Sequence, residues 1–159
     1  MVGKSFTCVA LFVLGAGGVA QAKSPQDQMF PGTDSCYTRS YSDDHLAKHP
    51  AQRVTDISVS PDFTIADPML GLHVLLHLRG VPGGAFEAYG YCENEGGHTL
   101  YCGMEGDAGG FQITPGKNGA ILIEVSSLGM TFENDSGFAT LERNSGDDRS
   151  FLLRPAACR

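Results

Sequence analysis

From residue 93 onward, turn-forming sequence returns every few residues: ENEGG at 93–97, EGDAGG at 105–110, PGKNG at 115–119, SSLG at 126–129, NDSG at 134–137 and NSGDD at 144–148. Gly, Asn, Asp and Pro supply the positive φ values, preset φ values and local side-chain hydrogen bonds that reverse a chain. The stretches between them, His98–Gly103, Phe111–Thr114, Ala120–Val125, Met130–Glu133, Phe138–Glu142 and Phe151–Arg154, are too short for ordinary helices and rich in β-formers. A chain punctuated this often is restricted to short antiparallel strands joined by hairpin-length loops, which close as a barrel or pack as a sandwich.

The centre of this pattern is Phe86–Ile113, which holds Cys92, Cys102 and two Gly-Gly turns. Residues 92 and 102 are equidistant from residue 97, as opposed residues of a hairpin should be. A Cys92–Cys102 disulfide is therefore expected, and Cys36 with Cys158 would tie the start of the fold to its end. Four thiolates on one metal are the competing use, but there is no C-x2-C pair. Cys8 falls in another context. Lys4 precedes an uncharged, apolar or small run from Ser5 to Ala20, and Ala20-Gln21-Ala22 is an A-x-A signature. Residues 1–22 are expected to be a cleaved signal peptide, which delivers the rest to a periplasmic or extracellular, disulfide-permissive compartment. No later apolar run is long enough for a membrane anchor. The remaining chain is one domain by length, 36–159, preceded by an arm at 23–35.

The arm, KSPQDQMFPGTDS, is polar and carries Pro and Gly, so it is expected to be extended or disordered. CYTRSY (36–41) reads as a strand. Ser42 is then an N-cap with Asp43 and Asp44 in the first turn of a helix that ends before Pro50, the one helix expected. Gln52–Val59 alternates as a half-buried strand, and Ser60–Asp67 reads as a loop. The segment 68–79 is ambiguous. Asp67-Pro68 and Gly80 could bracket a helix, but Leu72, Val74, Leu76 and Leu78 recur with period 2, which favours a strand over Leu72–Arg79. The fold expected is all-β with one short helix: a meander-rich antiparallel barrel or sandwich of about eight strands with two disulfides. In pattern and size it is similar to small exported β-barrels such as lipocalin-like binders and periplasmic lysozyme inhibitors, a likeness that carries no diagnostic residue.

Eleven Lys and Arg face eighteen Asp and Glu, a formal charge of −7. That balance argues against nucleic acid or anionic membrane, which require clustered basic side chains. It suits a basic protein or a cation. No Lys or Arg occurs between Arg79 and Lys117, while Glu93, Glu95, Glu105 and Asp107 do. Their carboxylates, with Gly-rich backbone, suit Ca²⁺, although the D-x-[DN]-x-[DN]-G loop is absent and the two acidic turns belong at opposite ends of one strand pair. His45 and His49 stand at i, i+4, a spacing that can direct two imidazoles to Zn²⁺, but no Glu completes H-E-x-x-H. His73 and His77 on a strand would be about 13 Å apart, too far for one ion. Glu87 and Glu105 fall where a carboxylate pair of a glycosidase could stand, yet nothing selects them. G-x-S-x-G is absent, PGKNG lacks the rest of a phosphate loop, and Asn134-Asp135-Ser136 matches a glycosylation acceptor only in form. Tyr89 and Tyr91 alternate with Ala88, Gly90 and Cys92, which fits either ligand lining or close packing against a neighbouring backbone. The function expected is a non-enzymatic binding or interaction module without cofactor, for a basic protein or a small ligand, one version being an inhibitor of a basic hydrolase such as a lysozyme. The alternative is a Ca- or Zn-binding protein or metal-dependent enzyme using the 93–107 turns or His45/His49.

Overall fold

The computed structural model describes residues 23–62, 69–81 and 83–158. The expected signal peptide, and the Asp67-Pro68 pair that would open a helix, lie outside these residues. Among the described residues nine strands form: β1 (Cys36–Ser40), β2 (Val54–Asp62), β3 (Leu70–Leu78), β4 (Phe86–Asn94), β5 (Leu100–Met104), β6 (Gly109–Pro115), β7 (Ile121–Asn134), β8 (Gly137–Leu141) and β9 (Ser150–Ala156). Strands β1 to β7 pair in sequence order, all antiparallel. Strand β9 then inserts between the first half of β7 and β1. The result is a closed eight-stranded barrel, with β8 appended to the far half of β7. Closure distinguishes it from a sandwich and leaves no edge on the barrel wall itself.

Alternation decides what faces inward. Val54, Ile57 and Val59 of β2, Leu72, Val74 and Leu76 of β3, Leu100 and Cys102 of β5, Phe111 and Ile113 of β6, Ile121, Ile123 and Val125 of β7, and Phe151 and Leu153 of β9 are buried in one cluster. These side chains fill the barrel interior as a packed core. Gly90 makes room for one of them: a Cβ there would stand 3.0 Å from the Phe111 ring. The 70–78 segment is a strand, so the period-2 reading holds over the helical one.

The two disulfides pair Cys92 with Cys102 and Cys36 with Cys158. Cys92 and Cys102 face each other directly in the β4–β5 register. The Cys36–Cys158 link sits at the barrel end where β1 begins and β9 finishes, here termed the disulfide end. At the opposite end β1 runs into helix α2 (Asp43–Lys48), with Ser42 capping the His45 amide as the sequence indicates. Among the described residues no helix is long and apolar enough to cross a membrane. The disulfides fit an oxidising compartment.

Three expectations change. The 23–35 arm is not simply extended: Pro25–Met29 forms one helical turn, α1, capped by Ser24. Met29 and Phe30, the apolar pair in an otherwise polar stretch, are buried. The Tyr37 hydroxyl donates to the Met29 carbonyl and the Phe30 ring meets Tyr37 edge-on at 5.4 Å. Burial of two large side chains overrides the polar composition around them. Second, β2 runs on through Pro61 to Asp62, where a loop is expected. Its pairing with β1 stops at Val59, so Pro61 lies where no β1 residue needs its missing N–H. Third, SSLG at 126–129 does not end a strand. It bends a single strand, β7, through which the chain passes from the barrel wall to a hairpin with β8.

Candidate functional site

That bend builds one wall of an open surface cleft. Beyond Val125 the register between β6 and β7 breaks, and Gly109 pairs with Met130. The Ser126 hydroxyl donates to the Gly129 carbonyl at 3.2 Å and accepts from the Leu128 amide. Gly109 and Gly129 both hold positive φ, and a Cβ on Gly109 would lie 2.1 Å from the Gly129 oxygen. Two backbones therefore cross where no side chain fits. The far half of β7 then swings across the end of β6, bonds the Ala108 carbonyl through the Thr131 amide at 2.8 Å, and reaches β4, placing Glu133 opposite Glu87. The β7–β8 hairpin buries Met130, Phe132, Ala139 and Leu141.

An open cleft of about 640 Å³ lies at this junction and reaches down to the core side chains Met104 and Phe132. Strand β4 contributes Glu87 and Tyr89, the β5–β6 turn Glu105 and Asp107, β7 Thr131 and Glu133, and β8 Phe138. Among the described residues the lining holds four carboxylates and no Lys or Arg. Glu87 and Glu133 are direct cross-strand partners, an arrangement of like charges that works against folding. A cationisable group stands beside Glu87: His73, whose Nε2 lies 3.0 Å from a Glu87 oxygen. Its ring stacks on Tyr89 at 4.7 Å with only 10° between planes. The Tyr89 phenol titrates above the ordinary tyrosine range, through partial desolvation first and then the Glu87 and Asp62 charges. It stays a neutral hydrogen-bond donor at physiological pH. Phe138 is 77% exposed, a large apolar ring left in water beside the acids.

The sequence-predicted residues divide among three places. Glu105 and Asp107 join this cleft. Glu93, near the end of β4, and Glu95, on the β4–β5 turn, sit exposed at the disulfide end, where Glu95 accepts from Gln112. Tyr89 lines the cleft, whereas Tyr91 lies outward opposite Gly71 and Gly103. His45 and His49 stack on each other at 4.3 Å. His45 Nε2 meets the Gln52 amide oxygen at 3.0 Å and His49 Nδ1 lies 3.7 Å from Asp147. Among the described residues no three His, Cys, Asp or Glu side chains are grouped as ligands for one metal ion.

Sequence reading missed Glu133, Phe138 and the His73–Glu87 contact. Their only local signal is that Glu87, Glu133 and Phe138 flank turns on outward-facing strand positions. The pairing of β4 with β7, 46 positions apart from Glu87 to Glu133, is what unites them. Also missed is Asp148, 3% exposed, which accepts from the Arg53 amide at 2.7 Å and the Val54 amide at 3.1 Å and so fastens the start of β2. Compared with protein-family models, with curated proteins and with solved structures, the chain matches none.

Proposed function

We propose that this protein is an exported, non-enzymatic binding module that engages a basic partner protein through the acidic cleft at the β4–β7 junction. The observation that carries this reading is the facing of Glu87 and Glu133 across paired strands, with Glu105 and Asp107 on the rim and no Lys or Arg among the described residues of the lining. Like charges held in register raise the free energy of the unbound protein. A cation entering between them relieves that repulsion, and the exposed rings of Tyr89 and Phe138 offer faces for its apolar stem or its charge. The filled barrel interior supports an external site rather than an enclosed ligand chamber. The leader-like residues 1–22 and the two disulfides support an exported module.

An inhibitor of a basic hydrolase is the concrete version to test first. Calorimetric titration of a basic lysozyme into the protein, with lysozyme activity read in parallel, should give saturable binding that weakens steeply with salt. The double substitution Glu87→Gln and Glu133→Gln should weaken binding by about tenfold or more while raising Tm, since it removes the repulsive pair. The same change at Glu93 and Glu95, at the far end, should leave binding nearly unchanged. Equal losses from both double variants would reduce the effect to net charge and overturn the cleft assignment. A Tm raised by Ca²⁺ or Zn²⁺, together with no response to basic proteins, would favour the metal-binding alternative.

A further inference from the structure

The exposed edge of β8 beside the cleft identifies how such a partner would be held. Among the described residues β8 pairs with β7 alone. The direction of its backbone groups follows from three contacts. Thr131 and Thr140 are partners whose hydroxyls meet at 3.0 Å. The Thr131 amide donates away from β8, to Ala108, and the Thr140 carbonyl accepts from the Arg53 guanidinium on the side away from β7. Thr131–Thr140 is therefore a non-hydrogen-bonded pair of the antiparallel ladder, and so is Glu133–Phe138, two residues along. The N–H and C=O of Phe138 and the N–H of Thr140 consequently point off the free edge.

We infer, building on the proposed acidic-cleft reading, that β8 is a docking edge for an extended, basic segment of a partner protein, which adds to the sheet as its next strand. An added strand would run about 5 Å from β8 and about 10 Å from β7. A Lys or Arg side chain on its outer face spans that distance over the Phe138 ring toward Glu133. Side chains on one face of a strand recur every second residue, so the segment recognised is one in which basic residues alternate with others. The Arg53 guanidinium occupies the Thr140 carbonyl and places a positive charge at that end, which directs the segment's basic residue toward the Phe138 end. A second copy of this chain is disfavoured as occupant: edge-to-edge pairing would bring together two chains of formal charge −7, each with Glu133 behind its edge.

Two peptides test this, a Lys-Val alternating hexapeptide and the same hexapeptide N-methylated at every internal residue, each titrated against the full disulfide-bonded protein. They share charge and side chains, but the second has lost every internal backbone donor. The first should bind, slow hydrogen exchange at the Phe138 and Thr140 amides, and exceed the methylated peptide in affinity by about tenfold, the effect of roughly one to two lost hydrogen bonds. Equal affinity of the two peptides would overturn strand addition while leaving the acidic cleft as a charge-recognition site. Failure of both peptides with lysozyme still bound would also overturn it, and failure of all three would remove the cleft reading as well. A protein dimer that protects the same two amides without peptide would assign the edge to a second copy and overturn the inference.

Discussion

Asp148 holds two backbone amides, those of Arg53 and Val54, with its two carboxylate oxygens while 3% exposed. Removing the acceptor leaves the buried Val54 amide and the part-buried Arg53 amide without their partner, so Asp148→Ala should cost about 3 kcal/mol in urea unfolding, whereas Asp147→Ala, at an exposed neighbour, should cost little. Burial also pushes the phenols of Tyr37 and Tyr41 above the ordinary value of 10.0, with Arg39 partly opposing the shift at Tyr41. A group whose folded pKa is raised stabilises the fold at pH below its unfolded pKa and loses that contribution as pH rises through the folded one. Unfolding titrations should therefore show stability declining above about pH 10, and Tyr37→Phe should flatten part of that decline. Neither role was legible in sequence. NSGDD reads correctly as a turn, but which of its two acids turns inward depends on the start of β2, some 95 residues away.

The bend of β7 is the element on which the cleft depends. SSLG has the composition of a hairpin turn, and the apolar runs on both sides of it alternate like separate strands. The chain instead continues as one strand past the bend at Gly129, because β8 and the Ala108 carbonyl offer ladder partners beyond it. The Gly109–Gly129 crossing makes that route sterically possible. Gly109→Ala combines a positive φ of 87° with a 2.1 Å approach to backbone, and should destabilise by about 3 kcal/mol or more. Gly103→Ala, whose Cβ would meet nothing within 4 Å, is the matched control and should be near neutral in thermal melts.

Across the whole molecule, the two disulfides do different work. Cys36–Cys158 spans 122 positions and Cys92–Cys102 only 10. Under the chain-entropy model the first constrains the unfolded chain by about 5 kcal/mol and the second by about 3. Replacing Cys36 and Cys158 together by Ser should accordingly lower the unfolding free energy more than replacing Cys92 and Cys102. Equal losses would indicate that the unfolded ensemble is not the freely closing chain of that model. The long link also holds β1 against β9, the seam by which the barrel closes.

By itself, the sequence determined the all-β class and the α2 cap, and it favoured, without deciding, the β3 assignment and both cysteine pairings. Each rests on information within a short window or on simple symmetry: period-2 alternation, turn chemistry, a Ser N-cap, cysteines equidistant from a Gly-Gly turn. Glu105, Asp107 and Tyr89 were visible as chemistry without a common location. Only the tertiary structure decided that the sheet closes, that β9 enters between β7 and β1, that Met29 and Phe30 draw the arm into a helical turn, and that Glu133 and Phe138 meet Glu87. Those outcomes depend on pairings between strands distant in the chain. Alternation specifies which face of a strand is buried, but not which strand lies beside it.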